Sequence, residues 1–169
     1  MLKVAVVGAT GYTGEEIVRI LAAHPKVTIT SLTAKIDKPE KIQELSPALL
    51  GRVDQLCELP DSERTAQAAD CIFLALPHKV SMEAAPFFLA KGKRVIDLSA
   101  DYRLPADIYQ TWYGAAHKDS AGLAEAVYGL PELNRAAIKK ARLIANPGCY
   151  PTSIVLGLNP LLKNKLADV

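Results

Sequence analysis

Neither charge sign dominates this sequence, and it has few cysteines and no long apolar run. Its 20 Lys and Arg against 18 Asp and Glu leave a net charge of +2, too small and dispersed to draw in nucleic acid or an anionic membrane. The amino-terminal stretch Leu2-Lys3-Val4-Ala5-Val6-Val7 stops at Gly8. That is too short to span a bilayer, and it lacks the cleavage region of a signal peptide. A cytoplasmic protein with no membrane or nucleic-acid partner is expected. Cys57, Cys71 and Cys149 share no CxxC or Cys/His spacing, which argues against structural zinc, and no metal is expected. Such a compartment keeps them reduced. Repeats and low-complexity segments are absent, and 169 residues suit one domain.

What is present is an alternation of short β-rich runs with helical stretches, the pattern of a parallel sheet covered by helices. Strands are predicted at Leu2–Val7, Val27–Thr33, Cys71–Leu76, Arg94–Leu98 and Leu143–Ala145. Several are almost continuously apolar, as strands with both faces covered must be. Helices are predicted at Thr13–Ala23, Ser62–Ala69, Ser81–Lys91 and Arg135–Lys140, with a last one opening near Tyr150. In the first, Ile17, Val18, Ile20 and Leu21 make an apolar stripe, while Glu15, Glu16 and Arg19 face water. Ser81 is a candidate N-cap, and Pro86 is expected to kink or shorten its helix. Asp101–Gly129 carries Pro105, Gly114 and Gly122 and is expected to be long, partly irregular surface chain. The class is thus α/β, a Rossmann-like doubly wound and mostly parallel sheet. Residues 1–148 form the dinucleotide-binding domain, and 149–169 a helix that opens a second domain.

Gly8-Ala9-Thr10-Gly11-Tyr12-Thr13-Gly14 joins the first strand to the first helix. Glycine there lets a pyrophosphate approach the backbone, and the helix start offers free amides and a favourable dipole. The spacing is GxxGxxG, not GxGxxG, but the strand before it and the helix after it supply the required setting. Gly8, Thr10, Gly11, Tyr12, Thr13 and Gly14 are the candidate cofactor contacts. NAD enzymes usually end the second strand with a carboxylate for the ribose 2′-hydroxyl. Here Ser31-Leu32-Thr33-Ala34-Lys35 stands instead, so Ser31, Thr33 and Lys35 are assigned to a 2′-phosphate and the cofactor is expected to be NADP(H). Asp37 weighs slightly against that choice. Ala75, Leu76 and Pro77, ending the strand from Cys71, are placed beside the nicotinamide side. His78 reads first as a loop histidine near the cofactor, and His24 and His117 as surface residues.

Cys57 and Cys71 read as packing residues. Cys149 differs. Asn146-Pro147-Gly148-Cys149-Tyr150-Pro151-Thr152 follows a strand and precedes the apolar-periodic Ile154-Val155-Leu156-Leu158. Pro151 is tolerated at a helix start, where its missing N–H costs nothing. A cysteine at that position meets free amides that stabilise a thiolate and can form an oxyanion hole. Such a sulfur beside a nicotinamide can displace phosphate from an acyl phosphate, giving a thioester for hydride reduction.

The glycine turn, Asp97-Leu98-Ser99-Ala100-Asp101-Tyr102-Arg103, Tyr128-Gly129-Leu130-Pro131-Glu132 and Asn146-Pro147-Gly148-Cys149-Tyr150-Pro151-Thr152 together resemble the N-acetyl-gamma-glutamyl-phosphate reductases of arginine biosynthesis, in order and along essentially the whole chain. The resemblance implies NADPH-dependent reduction of N-acetyl-glutamyl 5-phosphate to the 5-semialdehyde with release of phosphate, Cys149 being the nucleophile. It places Ser99, Arg103 and Asn146 near the substrate, with Arg103 suited to its phosphate or, alternatively, to an ordinary surface ion pair. Glu132 either orients active-site groups or caps a helix. Members of that family are about twice as long. Their second half supplies a substrate and dimerisation domain and an acid/base histidine, whereas no histidine here follows His117. The chain is expected to be truncated before that domain, and the full-length protein to be a homo-oligomer acting on a small molecule. Two other readings stand beside this one: an NADP-binding module without turnover, and the homologous aminoadipyl-phosphate reductase of lysine biosynthesis.

Overall fold

A computed structural model describes residues 1–167; the last two residues of the expected 149–169 segment lie outside the described residues. In chain order the strands are β1 (Leu2–Val7), β2 (Val27–Thr33), β3 (Glu40–Lys41), β4 (Leu56–Glu58), β5 (Cys71–Leu74), β6 (Arg94–Asp97), β7 (Val127–Tyr128) and β8 (Leu143–Ala145). The helices are α1 (Tyr12–Ala22), α2 (Ile42–Leu45), α3 (Ser62–Ala68), α4 (Ser81–Ala90), α5 (Ala106–Tyr113), α6 (Ser120–Glu125), α7 (Pro131–Lys140) and α8 (Cys149–Lys163). A 3₁₀ turn at Pro47–Leu49 follows α2.

One sheet takes the order β3-β4-β2-β1-β5-β6-β8-β7. All its pairings are parallel except β3 with β4. Without the two-residue edge strands this is the doubly wound order 3-2-1-4-5-6, and the winding reverses between β1 and β5. Alternation along the strands sends side chains to two cores. Val4, Val6 and Cys71 pack with Val18 and Leu21 of α1, whereas Ala5, Ile72 and Leu74 pack with Met82, Ala85 and Phe88 of α4. Covering both faces explains why β5 and the Val4–Val7 part of β1 are continuously apolar, Lys3 standing at the exposed start of β1. A bulge interrupts the β1–β2 register, Val4 facing Ile29 and Ala5 facing Ser31. Thr30 is the extra residue, and its hydroxyl donates to the Val4 carbonyl at 3.1 Å.

Several expectations are revised. β5 and β6 stop at Leu74 and Asp97, because the chain beyond each turns into the loops of the carboxyl edge. Ile20 does not join the α1 stripe. It is 53% exposed, the buried face being Gly14, Val18 and Leu21. Glu15, expected in water, is half-buried and accepts the hydroxyl of buried Ser46. α4 runs through Pro86 to Ala90. Ser81 is the first helical residue of α4 and not its cap, since a carboxylate from a distant loop takes the capping role. α7 begins four residues earlier than expected, on Pro131, and bends at Asn134. The Asp101–Gly129 stretch is more ordered than expected. It contains α5, α6 and β7, organised around Tyr109, which is fully buried. No helix among the described residues is long and apolar enough to cross a membrane.

Candidate active site

Beyond the strands, the backbone ladder runs on through the loops at the carboxyl edge. The N–H groups of Gly8 and Ala9 donate to the Thr33 carbonyl (2.8 and 3.0 Å), Ala75 to Val7 (2.8 Å), Leu98 to Leu74 (3.0 Å), Asn146 to Asp97 (2.8 Å) and Gly129 to Ala145 (2.8 Å). Five loops are thereby fixed side by side where open α/β sheets bind ligands.

The glycine turn sits at the reversal point. Gly8 has φ +91°, and a Cβ there would run into the carbonyl of Ala75. A Cβ on Gly14 would collide with the Gly8 carbonyl, so this glycine lets α1 approach the turn closely. Gly11 is different. Its φ of −77° suits any residue, and a Cβ would meet only the Gly8 oxygen at 3.7 Å. Thr10, Gly11, Tyr12 and Thr13 are all exposed, and the first three amides of α1 have no intrahelical acceptor.

Of the other assigned cofactor contacts, Ser31 and Thr33 are buried in β2 while Lys35 is exposed. Thr33 ends the strand and binds the glycine turn through its carbonyl. Ala75 and Leu76 are half-buried and Pro77 is exposed. His78 is exposed, its ring tilted on Tyr113 at 5.3 Å. His24 is exposed, as expected. His117 is not a free surface residue: its ring packs edge-on against Tyr102 and Tyr109 at 5.3 and 5.4 Å. Its Nδ1 accepts the Asp119 N–H at 3.1 Å, and its buried Nε2 has no partner among the described residues.

Cys149 is the first residue of α8 and is exposed. The cap is Gly148, whose carbonyl accepts the N–H (3.0 Å) and hydroxyl (2.8 Å) of Thr152. Arg103 grips this turn: Nε donates to the Asn146 carbonyl and Nη2 to the Leu98 carbonyl, both at 2.7 Å. Its Nη1 lies 3.2 Å from the Cβ position that Gly148 leaves empty. Arg103 therefore ties two strand-end loops together and forms no ion pair among the described residues. The Asn146 amide reaches the Pro147 carbonyl at 3.2 Å. Cys57 and Cys71 are buried, and burial pushes both thiols up to about 11, so neither presents a thiolate near neutrality. One exposed sulfur thus stands at the same sheet edge as the glycine turn, with a helix N-terminus and a guanidinium beside it.

Ser99 is buried. Its hydroxyl donates to Asp97 at 2.7 Å and accepts the Asp101 N–H at 3.0 Å. Burial pushes the Asp97 carboxyl up, and the Ser99 hydroxyl opposes the shift. Asp101 is the residue that sequence reasoning passed over. It lies within a quoted motif, but its partners Lys79 and Met82 are 22 and 19 positions away. Glu132 is exposed in the first turn of α7. No cluster of three or more His, Cys, Asp or Glu suited to a metal occurs among the described residues.

The family described as "Semialdehyde dehydrogenase, NAD binding domain" matches residues 3–141. An N-acetyl-gamma-glutamyl-phosphate reductase of Geobacter sulfurreducens is 56% identical over 169 residues, which is 99% of this chain and 49% of that protein. The one of Halorhodospira halophila is 50% identical over 171 residues, again 99% and 49%. The chain spans about half the length of the curated relatives it matches. Among solved structures, aspartate semialdehyde dehydrogenase with NADP from Candida albicans superposes with a TM-score of 0.69 at 18% identity, covering 97% of this chain and 47% of that one. The Vibrio cholerae enzyme II gives 0.65 at 20% identity, covering 96% and 47%. At such identities these two structures speak for the fold.

Proposed function

The chain belongs to the semialdehyde dehydrogenase NAD-binding family, and on that premise we propose that it is the NADP(H)-binding, nucleophile-bearing half of an acyl-phosphate reductase. Its substrate is N-acetyl-glutamyl 5-phosphate, reduced to the 5-semialdehyde with release of phosphate in cytoplasmic arginine biosynthesis. The names of the relatives support the substrate. The observation that carries the reading is the exposure of Cys149 at the first position of α8, on the sheet edge that also holds the glycine turn. Residues 1–148 serve as the dinucleotide-binding unit, and α8 leads toward a substrate and oligomerisation domain.

The cofactor fits the residues present. Nothing among the described residues requires glycine at position 11, where a Cβ would make only an ordinary van der Waals contact with the Gly8 oxygen at 3.7 Å. Glycine there is what close approach of a pyrophosphate demands, and the α1 amides of Tyr12, Thr13 and Gly14 offer the anion its donors. Lys35 is exposed beyond β2 where an NAD enzyme would carry a carboxylate, which supports NADP over NAD. When bound, the nicotinamide group supplies the hydride equivalent for reduction.

The chain's own residues do the rest. The Cys149 sulfur attacks the acyl carbon, the bond to the phosphate oxygen breaks, and a thioester forms as inorganic phosphate departs. Amides at the start of α8 receive the developing oxyanion. Arg103, holding Asn146 in place, keeps a positive charge next to the departing phosphate. Release of the aldehyde returns the thiolate to Cys149. Phosphate-dependent NADP reduction with N-acetylglutamate semialdehyde, measured on this chain and on a longer gene product, tests the proposal. Cys149→Ser abolishes turnover if the assignment is right, and activity that survives the substitution overturns it. Tighter binding of NADH than NADPH overturns the cofactor choice.

A further inference from the structure

Asp101 is fully buried but has no ion-pair partner among the described residues. A buried carboxylate needs donors to replace water, and it has three. Oδ1 accepts the Lys79 N–H at 2.8 Å and the Tyr109 hydroxyl at 2.7 Å, while Oδ2 accepts the Met82 N–H at 2.9 Å. Ser99 fixes the carboxylate from behind by accepting the Asp101 N–H.

Two of those donors belong to the passage from β5 into α4. Met82 is the second residue of α4, whose own cap Val80 offers no side-chain acceptor, so Asp101 supplies the negative charge that this helix start favours. Lys79 is held at φ +72°, a conformation that side-chain-bearing residues rarely adopt. The bond that the Lys79 N–H donates to the buried carboxylate stabilises that conformation. The loop so fixed begins at Ala75, whose carbonyl abuts Gly8 in the phosphate turn. Sidewise, Tyr113 stacks on Tyr109 at 4.8 Å and meets His78 at 5.3 Å, so the hydroxyl held by Asp101 is also coupled to the tip of the loop.

We propose that Asp101 is a positioning residue: without touching cofactor or substrate, it holds the Pro77–Val80 loop in the conformation that receives the nicotinamide end of NADPH. The role rests on the cofactor reading above and adds that the loop is preformed. Asp101 does for this loop, through backbone N–H groups, what Arg103 does through carbonyls for the cysteine turn.

NADPH titration of the purified chain, alongside thermal melting, tests this. Asp101→Asn leaves a side chain that cannot accept from all three donors, and the Kd for NADPH of the folded variant is expected to rise about tenfold. The alkylation rate of Cys149 stays within about twofold, because its turn is held by Arg103. A purely structural role predicts a lower melting temperature with an unchanged Kd, and a folded variant binding NADPH within about twofold of the parent overturns the proposal. Amide exchange on the unaltered chain decides the matter even if the variant does not fold. The Lys79 and Met82 amides are expected to be protected before NADPH is added, and free exchange at Lys79 until NADPH arrives overturns the preformed loop. Failure of the unaltered chain to bind NADPH overturns the cofactor reading and the positioning role together. A tight complex with an unprotected Lys79 overturns the positioning role alone.

Discussion

Both α1 and α8 leave the carboxyl edge through glycine caps of nearly the same shape, φ −77° and ψ 159° at Gly11, φ −71° and ψ 159° at Gly148, and neither cap has a side chain of its own to bond the first turn. Past the first turn the two helices differ. α1 buries Gly14, Val18 and Leu21 against the sheet, whereas α8 buries none of its residues. The turn before α1 is fastened by backbone bonds to the neighbouring strand, and the turn before α8 also needs Arg103 from a loop 43 positions away in sequence. Equal helix starts can thus serve as a rigid cradle in one place and a tethered arm in the other, depending on what lies behind them.

Substitutions can break this contrast or sharpen it, in decreasing order of expected effect on stability. Gly14→Ala forces a Cβ into the Gly8 carbonyl and the Ala9 backbone, and should cost about 3 kcal/mol in urea unfolding. Gly157→Ala, its control in α8 and outside that order, meets nothing within 4 Å and should be neutral or slightly stabilising. Arg103→Ala removes two bonds to carbonyls, costing about 2 kcal/mol. It should loosen the amides around Cys149 in hydrogen exchange while leaving those of Gly8–Gly14 unchanged.

The thiols extend the contrast to pH. Cys57 and Cys71 lie in the core layer that includes α1. Because burial raises both to about 11 from 9.0, their contribution to stability is complete below pH 9 and is lost as pH climbs toward 11. At pH 10 the loss is about 1.4 kcal/mol for each thiol, and Cys71→Ala should flatten that slope in a pH series of unfolding curves. A thiol-labelling assay at neutral pH should modify Cys149 alone until the protein unfolds. Gly11→Ala closes the series. It should cost at most about 1 kcal/mol of stability, yet weaken NADPH binding about tenfold or more, since its Cβ stands where the pyrophosphate would approach. Unchanged NADPH affinity would count against the cradle.

How much of this was legible in the sequence follows the same division. β1, β2, β8 and the starts of α1 and α8 were placed within a residue, because local signals specify them: apolar runs, a glycine turn, a proline tolerated in a first turn. The two-residue strands β3 and β7 were not legible, since each exists only by pairing with β4 or β8. α5 was hidden by a composition that suggests loop. Its order comes from burying Tyr109 in the core under α4, which no local pattern announces. At the site, Cys149 and the glycine turn announced themselves. Asp101 did not, because its meaning lies in backbone donors far away in the chain. Arg103 was picked out by the family resemblance of its motif and the fit of a guanidinium to phosphate, while its bonds to carbonyls became visible only with the two loops side by side.

The absence of any buried residue along α8 has an energetic consequence of its own. A helix without a packed face gains little from the rest of the fold, so its opening is a local event that leaves the sheet intact. Its amides should exchange far ahead of those in β1 and β5. A protease should find the Ile154–Leu162 stretch before any other helix. The sulfur at the other end is then the last part of a softly held element to let go, pinned at one point and otherwise governed by whatever surface the helix is given to lie against.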